Sequence, residues 1–252
     1  MTEIIAEIGI NAGRNGKVDI ALAHDMIVQV KKAGADVAKF HVYDPVTLLN
    51  QEDYSPEDWL QILSSKLSKQ QLGEIKSICD HYDIEFFASA FDFERLGWLE
   101  EIGVKRHKIA SRSIYDVEYV KAVQDTGKDY LWSTGWLKED NPLGESRLGT
   151  YQRLHMNPWD SQTATKMYCI SEYPTPLEKI SVYKLDTHEG FSDHTVGNTA
   201  SMVAIALQGV KVVEKHYTYD KTATGPDHKG SADYEDLKTL CKFRDEVAKM
   251  GE

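Results

Sequence analysis

The sequence predicts a single-domain α/β protein, a (β/α)8 TIM barrel spanning residues 1–252. Three observations carry that expectation. Eight short β-branched or apolar runs recur along the chain, helical patterns separate most of them, and eight strand–helix units in about 250 residues is the usual length of a closed barrel. A doubly wound open sheet is the structural alternative. No GxGxxG follows the first run, and eight units suit closure better.

The predicted strands are Glu3–Ile10, Val37–Val42, Glu85–Ala90, Arg106–Ala110, Tyr130–Ser133, Lys166–Ile170, Gly190–Ser192 and Val210–His216. Helical spacing marks Ile20–Ala33, which is followed by Gly34, and then Lys69–Tyr82, Phe93–Ile102, Tyr115–Asp125, Thr195–Leu207 and a closing amphipathic helix over Asp233–Met250. Two stretches break the rhythm. Tyr43–Leu67 is a long excursion after the second strand, and Trp136–Thr165, punctuated by Gly, Pro and Asn, follows the fifth. On a barrel such loops usually cover the substrate.

With 41% apolar and 27% charged residues the composition is that of an ordinary globular protein. The net charge of −11, without a Lys/Arg run, argues against a nucleic-acid partner. No stretch has the roughly 18 apolar residues of a membrane span, and the opening MTEIIAEIGI lacks a basic n-region with a long apolar core, so the expected location is cytoplasmic, away from the membrane. Cys79, Cys169 and Cys241 form no CxxC and read as reduced, mostly buried thiols.

The predicted strands end in polar groups: Glu7, Lys39, Ser89, Lys108 with Ser111, Ser133, Ser192 with Asp193 and His194, then His216. On a barrel these ends converge, so the lysines and serines could gather a phosphate or carboxylate. Singly, each also reads as a solvated loop-edge lysine or a turn-forming or capping serine. His194 and His216 lie 22 residues apart, one strand–helix–strand step, which allows a shared metal and equally allows coincidence. Glu7 reads either as an ion-pair partner of a barrel lysine or as a catalytic acid–base group. His24, His81 and His107 read as solvated, while His228 in GPDH is left open.

In chain order the sequence carries AEIGIN (6–11), AGADVAKF (33–40), FFASAFD (86–92), KIAS (108–111), STG (133–135), SEYPTP (171–176), GFSDHT (190–195), EKHYTYD (214–220) and GPDHKGS (225–231). In these motifs the chain resembles the sialic acid synthase family over nearly its whole length. The resemblance implies a barrel that condenses phosphoenolpyruvate with an aldose such as N-acetylmannosamine, with a divalent metal, typically Mn2+. Position by position it implies His194 and His216 as metal ligands and Glu7 as the catalytic glutamate. Lys39, Lys108, Ser111, Ser133 and Ser192 would hold phosphate, with Asp227 and Tyr173 on the sugar side.

The departures from the family pattern are Ala12 for His, His41 for Gln, Ala90 for Thr, and Arg112 with Ser113 where KIxSGE is usual. Relatives also carry a C-terminal antifreeze-like domain, whereas this sequence stops at Glu252, so a homodimer or a separate capping polypeptide is the expected partner. The expected outcome is an intact phosphoenolpyruvate site with an altered acceptor pocket, His41, Arg112 and Ser113 reshaping it. Two competing readings stand beside this: a non-catalytic barrel that binds a phosphorylated metabolite, and a metal-dependent aldolase or hydrolase on the same scaffold.

Overall fold

The computed structural model describes residues 1–14, 16–136 and 163–250 and contains a closed barrel of eight parallel strands. We number these β1 (Glu3–Glu7), β2 (Val37–Val42), β3 (Glu85–Ala90), β4 (His107–Ile109), β5 (Tyr130–Ser133), β6 (Ala164–Tyr168), β7 (Gly190–Asp193) and β8 (Val212–His216). Each strand pairs with its sequence neighbour, and β1 closes the ring against β8, with Glu3 opposite Val212 and Glu7 opposite His216. A small antiparallel hairpin, Gly13–Arg14 with Lys17–Val18, lies outside the barrel.

Side chains alternate along a strand, so each barrel strand has an inner and an outer set. The outer set (Ile4, Ala6, Phe40, Phe86, Trp132, Phe191 and Val213 among others) packs into one large core with the helices. The inner set is layered. At the bottom the Arg106 guanidinium donates to Glu3 at 2.6 Å and Glu85 at 2.8 Å and lies over the Phe87 ring. Above it Ile5, Val37, Phe87, Leu131, Met167 and Val212 form a separate apolar cluster that plugs the barrel. Gly190 is small because a Cβ there would lie 3.0 Å from Met167 Cγ and 3.2 Å from the Val212 carbonyl oxygen.

Local chemistry accounts for most helix boundaries. Ile20–Ala33 begins where Asp19 accepts from the Leu22 amide at 3.0 Å, buries Leu22, Met26, Ile27 and Val30 at helical spacing, and stops at Gly34 with φ +96°. Arg244, from the last helix Tyr234–Lys249, ties off that corner by donating to Asp36 and to the Gly34 carbonyl. Gly34→Ala would force a side chain into the left-handed region, 3.3 Å from Cys241 Cβ. The expected loss is about 1–2 kcal/mol of unfolding free energy, read from urea denaturation; an unchanged midpoint would contradict it.

Some boundaries differ from expectation. β1 ends at Glu7 rather than Ile10, because Gly9 (φ +50°) turns the chain into a 3-10 turn, Gly9–Ala12. The helix after β4 starts at Val117, two residues late, because Asp116 caps it through the Tyr119 amide. The helix after β7 starts at Thr199 rather than Thr195, because the Thr195 amide and hydroxyl are both held by Asp193 Oδ1.

The Tyr43–Leu67 excursion folds into short helices, Pro45–Leu48 and Pro56–Leu63, over a satellite core of Ile10, Tyr43, Trp59 and Ile62. Most of the second excursion, Trp136–Thr165, lies outside the described residues. All three cysteines are buried thiols, and among the described residues no helix is long and apolar enough to cross a membrane.

Candidate active site

The alternation that builds the apolar plug also builds the site. Two residues beyond each plug residue stands a group lining a cavity at the C-terminal mouth: Glu7 after Ile5, Lys39 after Val37, Ser89 after Phe87, Ser133 after Leu131, Cys169 after Met167 and Glu214 after Val212. A further step along β2 and β8 adds His41 and His216; Lys108 comes from β4, Ser192 from β7, and His194 from just beyond it. The cavity is about 340 Å³, and Ser111, Arg112, Trp136, Ser171, Tyr173 and Asp227 complete its walls.

The floor is a chain of buried charges. Lys108 Nζ donates to both Glu214 oxygens at 2.9 Å, Ser192 Oγ donates to Glu214 Oε1 at 2.8 Å, and Lys39 Nζ lies 3.6 Å from Glu214 Oε2. Lys39 also contacts the Glu7 carboxylate, and His41 Nε2 lies 3.4 Å from it. With Lys39 and Lys108 only 1% and 3% exposed, neither is the solvated loop-edge lysine that each could have been in isolation.

Burial by itself would raise the Glu214 carboxyl, but the charges of Lys108 and Lys39 outweigh it and hold the group well below the usual carboxylate range. Burial is the main reason Lys39 is pulled down from 10.5 to about 7; Glu214 opposes that shift and the like charge of Lys108 adds to it.

The two histidines at the mouth have ring centroids 5.5 Å apart, with the Tyr173 ring 4.3 Å from that of His194. The Ile170 carbonyl oxygen lies 2.6 Å from His194 Nδ1 and so fixes the proton there, leaving Nε2 as a lone pair beside Ser192 Oγ. Burial lowers His194 to about 4, helped by His216, and lowers His216 to about 3, helped by Lys39, so both rings are neutral at pH 7. His216 Nδ1 is sealed from solvent without a hydrogen bond, 3.4 Å from Asp227 Oδ2. Burial pushes Asp227 up to about 6.

Two neutral imidazoles, one with an unsatisfied nitrogen, are a donor set that fits a borderline divalent metal. Among the described residues no three His, Cys, Asp or Glu side chains are arranged to hold one unaided, so water and substrate oxygens would complete its coordination.

The structure thus brings together Glu7, Lys39, His41, Lys108, Ser111, Ser133, Tyr173, Ser192, His194, His216 and Asp227. Ser113 does not join them: it is buried in the 3-10 turn Ser111–Tyr115 and lines no part of the cavity. His107, read as solvated, is instead 1% exposed and paired with Glu100 at 2.7 Å, because it faces outward from β4 beneath the helix layer. His24 is half-buried against the Tyr82 hydroxyl at 3.0 Å rather than free in solvent, and His228 is buried against Thr218 Oγ1 at 2.7 Å. Glu214 is not among the site residues that the sequence motifs single out. Its signal was present in VVEKH, where it shares the face of His216 by the two-residue period.

Fold and site define the class, a barrel enzyme with its cationic and acid–base side chains gathered at the C-terminal ends of the strands. The chain belongs to the NeuB family, whose profile matches residues 26–252. It is 33% identical over 256 residues to an uncharacterized Methanocaldococcus jannaschii protein (99% of this chain, 72% of that one), and 33% over 260 residues to N,N'-diacetyllegionaminic acid synthase of Campylobacter jejuni (95% and 74%). Among solved structures it superposes on N-acetylneuraminic acid synthetase of Leptospira borgpetersenii with a TM-score of 0.82 and 27% identity, covering 99% of this chain and 84% of that one. At the level of the family, the chain is a phosphoenolpyruvate-dependent condensing enzyme of the sialic-acid-synthase type.

Proposed function

We propose that this cavity joins phosphoenolpyruvate to the aldehyde of an aldose of the N-acetylmannosamine kind, forming a nonulosonic acid and releasing phosphate. The observation that supports this best is the floor: two buried lysines and a ring of serine hydroxyls lie directly beneath two neutral histidines. Lys39 and Lys108, with Ser111, Ser133 and Ser192, would hold the phosphate by charge and hydrogen bonds. His194 and His216 would hold a divalent metal, with Mn2+ the expected ion. Bound there, such an ion supplies Lewis-acid polarisation of the aldehyde.

Carbon 3 of phosphoenolpyruvate bonds to the aldehyde carbon, and the aldehyde oxygen takes a proton. Asp227, held up to about 6, carries a proton at mildly acidic pH that it can give to that oxygen. Water adds to the electron-poor carbon 2, Glu7 accepts the proton that water loses, and the carbon–oxygen bond to phosphate then breaks. The Lys39 contact orients Glu7 for that step. The test is phosphate release from phosphoenolpyruvate with manganese across a panel of aldoses, matched to aldose consumed. Release without an acceptor, or none with any, would refute the reading.

The backbone at Gly135 offers a second test. Its amide faces Ser111 Oγ at 3.1 Å, and a Cβ there would fall 2.5 Å from Ser171 Oγ and 2.7 Å from Cys169 Sγ, within a nest of small polar groups. Gly135→Ala should weaken phosphoenolpyruvate binding about tenfold, measured by titration calorimetry, as the added methyl displaces the hydroxyls. An unchanged affinity would remove Gly135 from the phosphate site.

A further inference from the structure

Inside the cavity the charges pair off. Lys39 is matched by Glu7 and Lys108 by Glu214, both at the floor. In the outer half Asp227 lies against His216, and among the described lining residues one cation remains, Arg112, in the turn that follows β4. Among the described residues no carboxylate or carbonyl accepts from its guanidinium. Its Cζ lies 5.5 Å from the Trp136 ring centroid, and its charge acts on Tyr43 and Tyr173 across the mouth.

A guanidinium resting on an indole is held in place while its N–H edge stays open for a planar, two-pronged acceptor. The cavity lining includes the aromatic side chains of Tyr43, Tyr54, Phe91, Trp136 and Tyr173, and its one carboxylate away from the floor, Asp227, lies against His216 rather than on Arg112. A half-buried cation with no counter-charge among the described residues, at the mouth of a substrate cavity, is suited to receive a ligand's anion.

Building on the condensation reading above, we propose that Arg112 on its Trp136 platform selects the acceptor, and that the preferred aldose carries a phosphate or carboxylate at the end remote from its aldehyde. The floor lysines take the phosphate of phosphoenolpyruvate; Arg112, at the rim, meets the far end of the second substrate. A neutral acceptor leaves the guanidinium uncompensated, and an anionic one forms a charge-assisted, bidentate contact.

The experiment compares acceptors that differ in one group, N-acetylmannosamine and its 6-phosphate, with the wild-type chain, Arg112→Ala and Arg112→Lys, at saturating phosphoenolpyruvate and manganese. The wild type should favour the phosphorylated acceptor by about 10- to 100-fold in kcat/KM, mostly through KM, as one charged hydrogen-bonded contact allows. Arg112→Ala should abolish the preference, and Arg112→Lys should restore part of it, because a lysine keeps the charge without the fork.

The affinity of each variant for phosphoenolpyruvate alone separates the two substrates. It should stay within about threefold, and a tenfold loss in Arg112→Ala would place the residue on phosphoenolpyruvate and overturn the proposal. Calorimetric titration of the reduced, alditol forms reads the same contact without turnover. If the phosphorylated alditol binds no tighter than the neutral one, the proposal is wrong. If it binds tighter through Arg112 but no aldose is condensed, the condensation reading fails and the anion site stands.

Discussion

Glu7→Gln is expected to lower kcat for phosphate release by about 10²- to 10⁴-fold while leaving phosphoenolpyruvate affinity nearly unchanged. Glu7 is 1% exposed at the end of β1, in contact with Lys39 and 3.4 Å from His41 Nε2. An amide keeps the size and still accepts a hydrogen bond from Lys39, so the floor should keep its shape. It cannot accept a proton from the water that adds to carbon 2. Steady-state kinetics beside calorimetric phosphoenolpyruvate binding make the check. Near-normal turnover would leave Glu7 as a structural ion pair, the other role open to a carboxylate at this position.

If the two rings hold the proposed metal, either His194→Ala or His216→Ala should reduce manganese-dependent kcat/KM by about 10³-fold or more, since losing its polarisation of the aldehyde would forfeit several kcal/mol of transition-state stabilisation. Each ring is half of the imidazole set, so manganese affinity, measured by equilibrium dialysis, should fall in both variants. Metal affinity retained in both would sink the assignment. The fold should survive, because the rings face the cavity and what holds the ends of β7 and β8 lies behind them. Lys215 Nζ reaches Asp193 Oδ2 at 3.1 Å and donates to the Thr195 carbonyl at 2.8 Å, and Ser201 donates to Asp193, all on the outer face of the barrel and fully buried. That clamp fastens the two strand ends that carry the histidines.

Much of this was legible along the chain. The eight runs and the helices between them follow from local spacing, and the polar strand ends announced a site because strand ends of a barrel converge. What failed did so for identifiable reasons. The sequence suggests a solvated His107, but the outward face of a barrel strand lies under helices rather than in water. The motif position of Ser113 suggests the acceptor pocket, yet the 3-10 turn after β4 puts Arg112 in the cavity lining and buries Ser113 away from it. Glu214 is assigned to the interior by the strand's two-residue period, which sets it on the face of His216.

The sequence by itself determined the kinds of element, their order and the residue types available to the site, because spacing, caps and alternation act over a few residues. Tertiary structure alone decided the charge partners. Lys108 and Glu214 are separated by 106 positions, and Glu7 meets Lys39 across a strand–helix–strand step. Nothing local in either segment names its counter-ion. The pairing follows from barrel closure, which sets β1 between β8 and β2 in a single register and stacks the side chains above the apolar plug. In that dry layer a charge must find a partner. Arg112 stands above that layer, in the turn after β4, and has no carboxylate partner among the described residues.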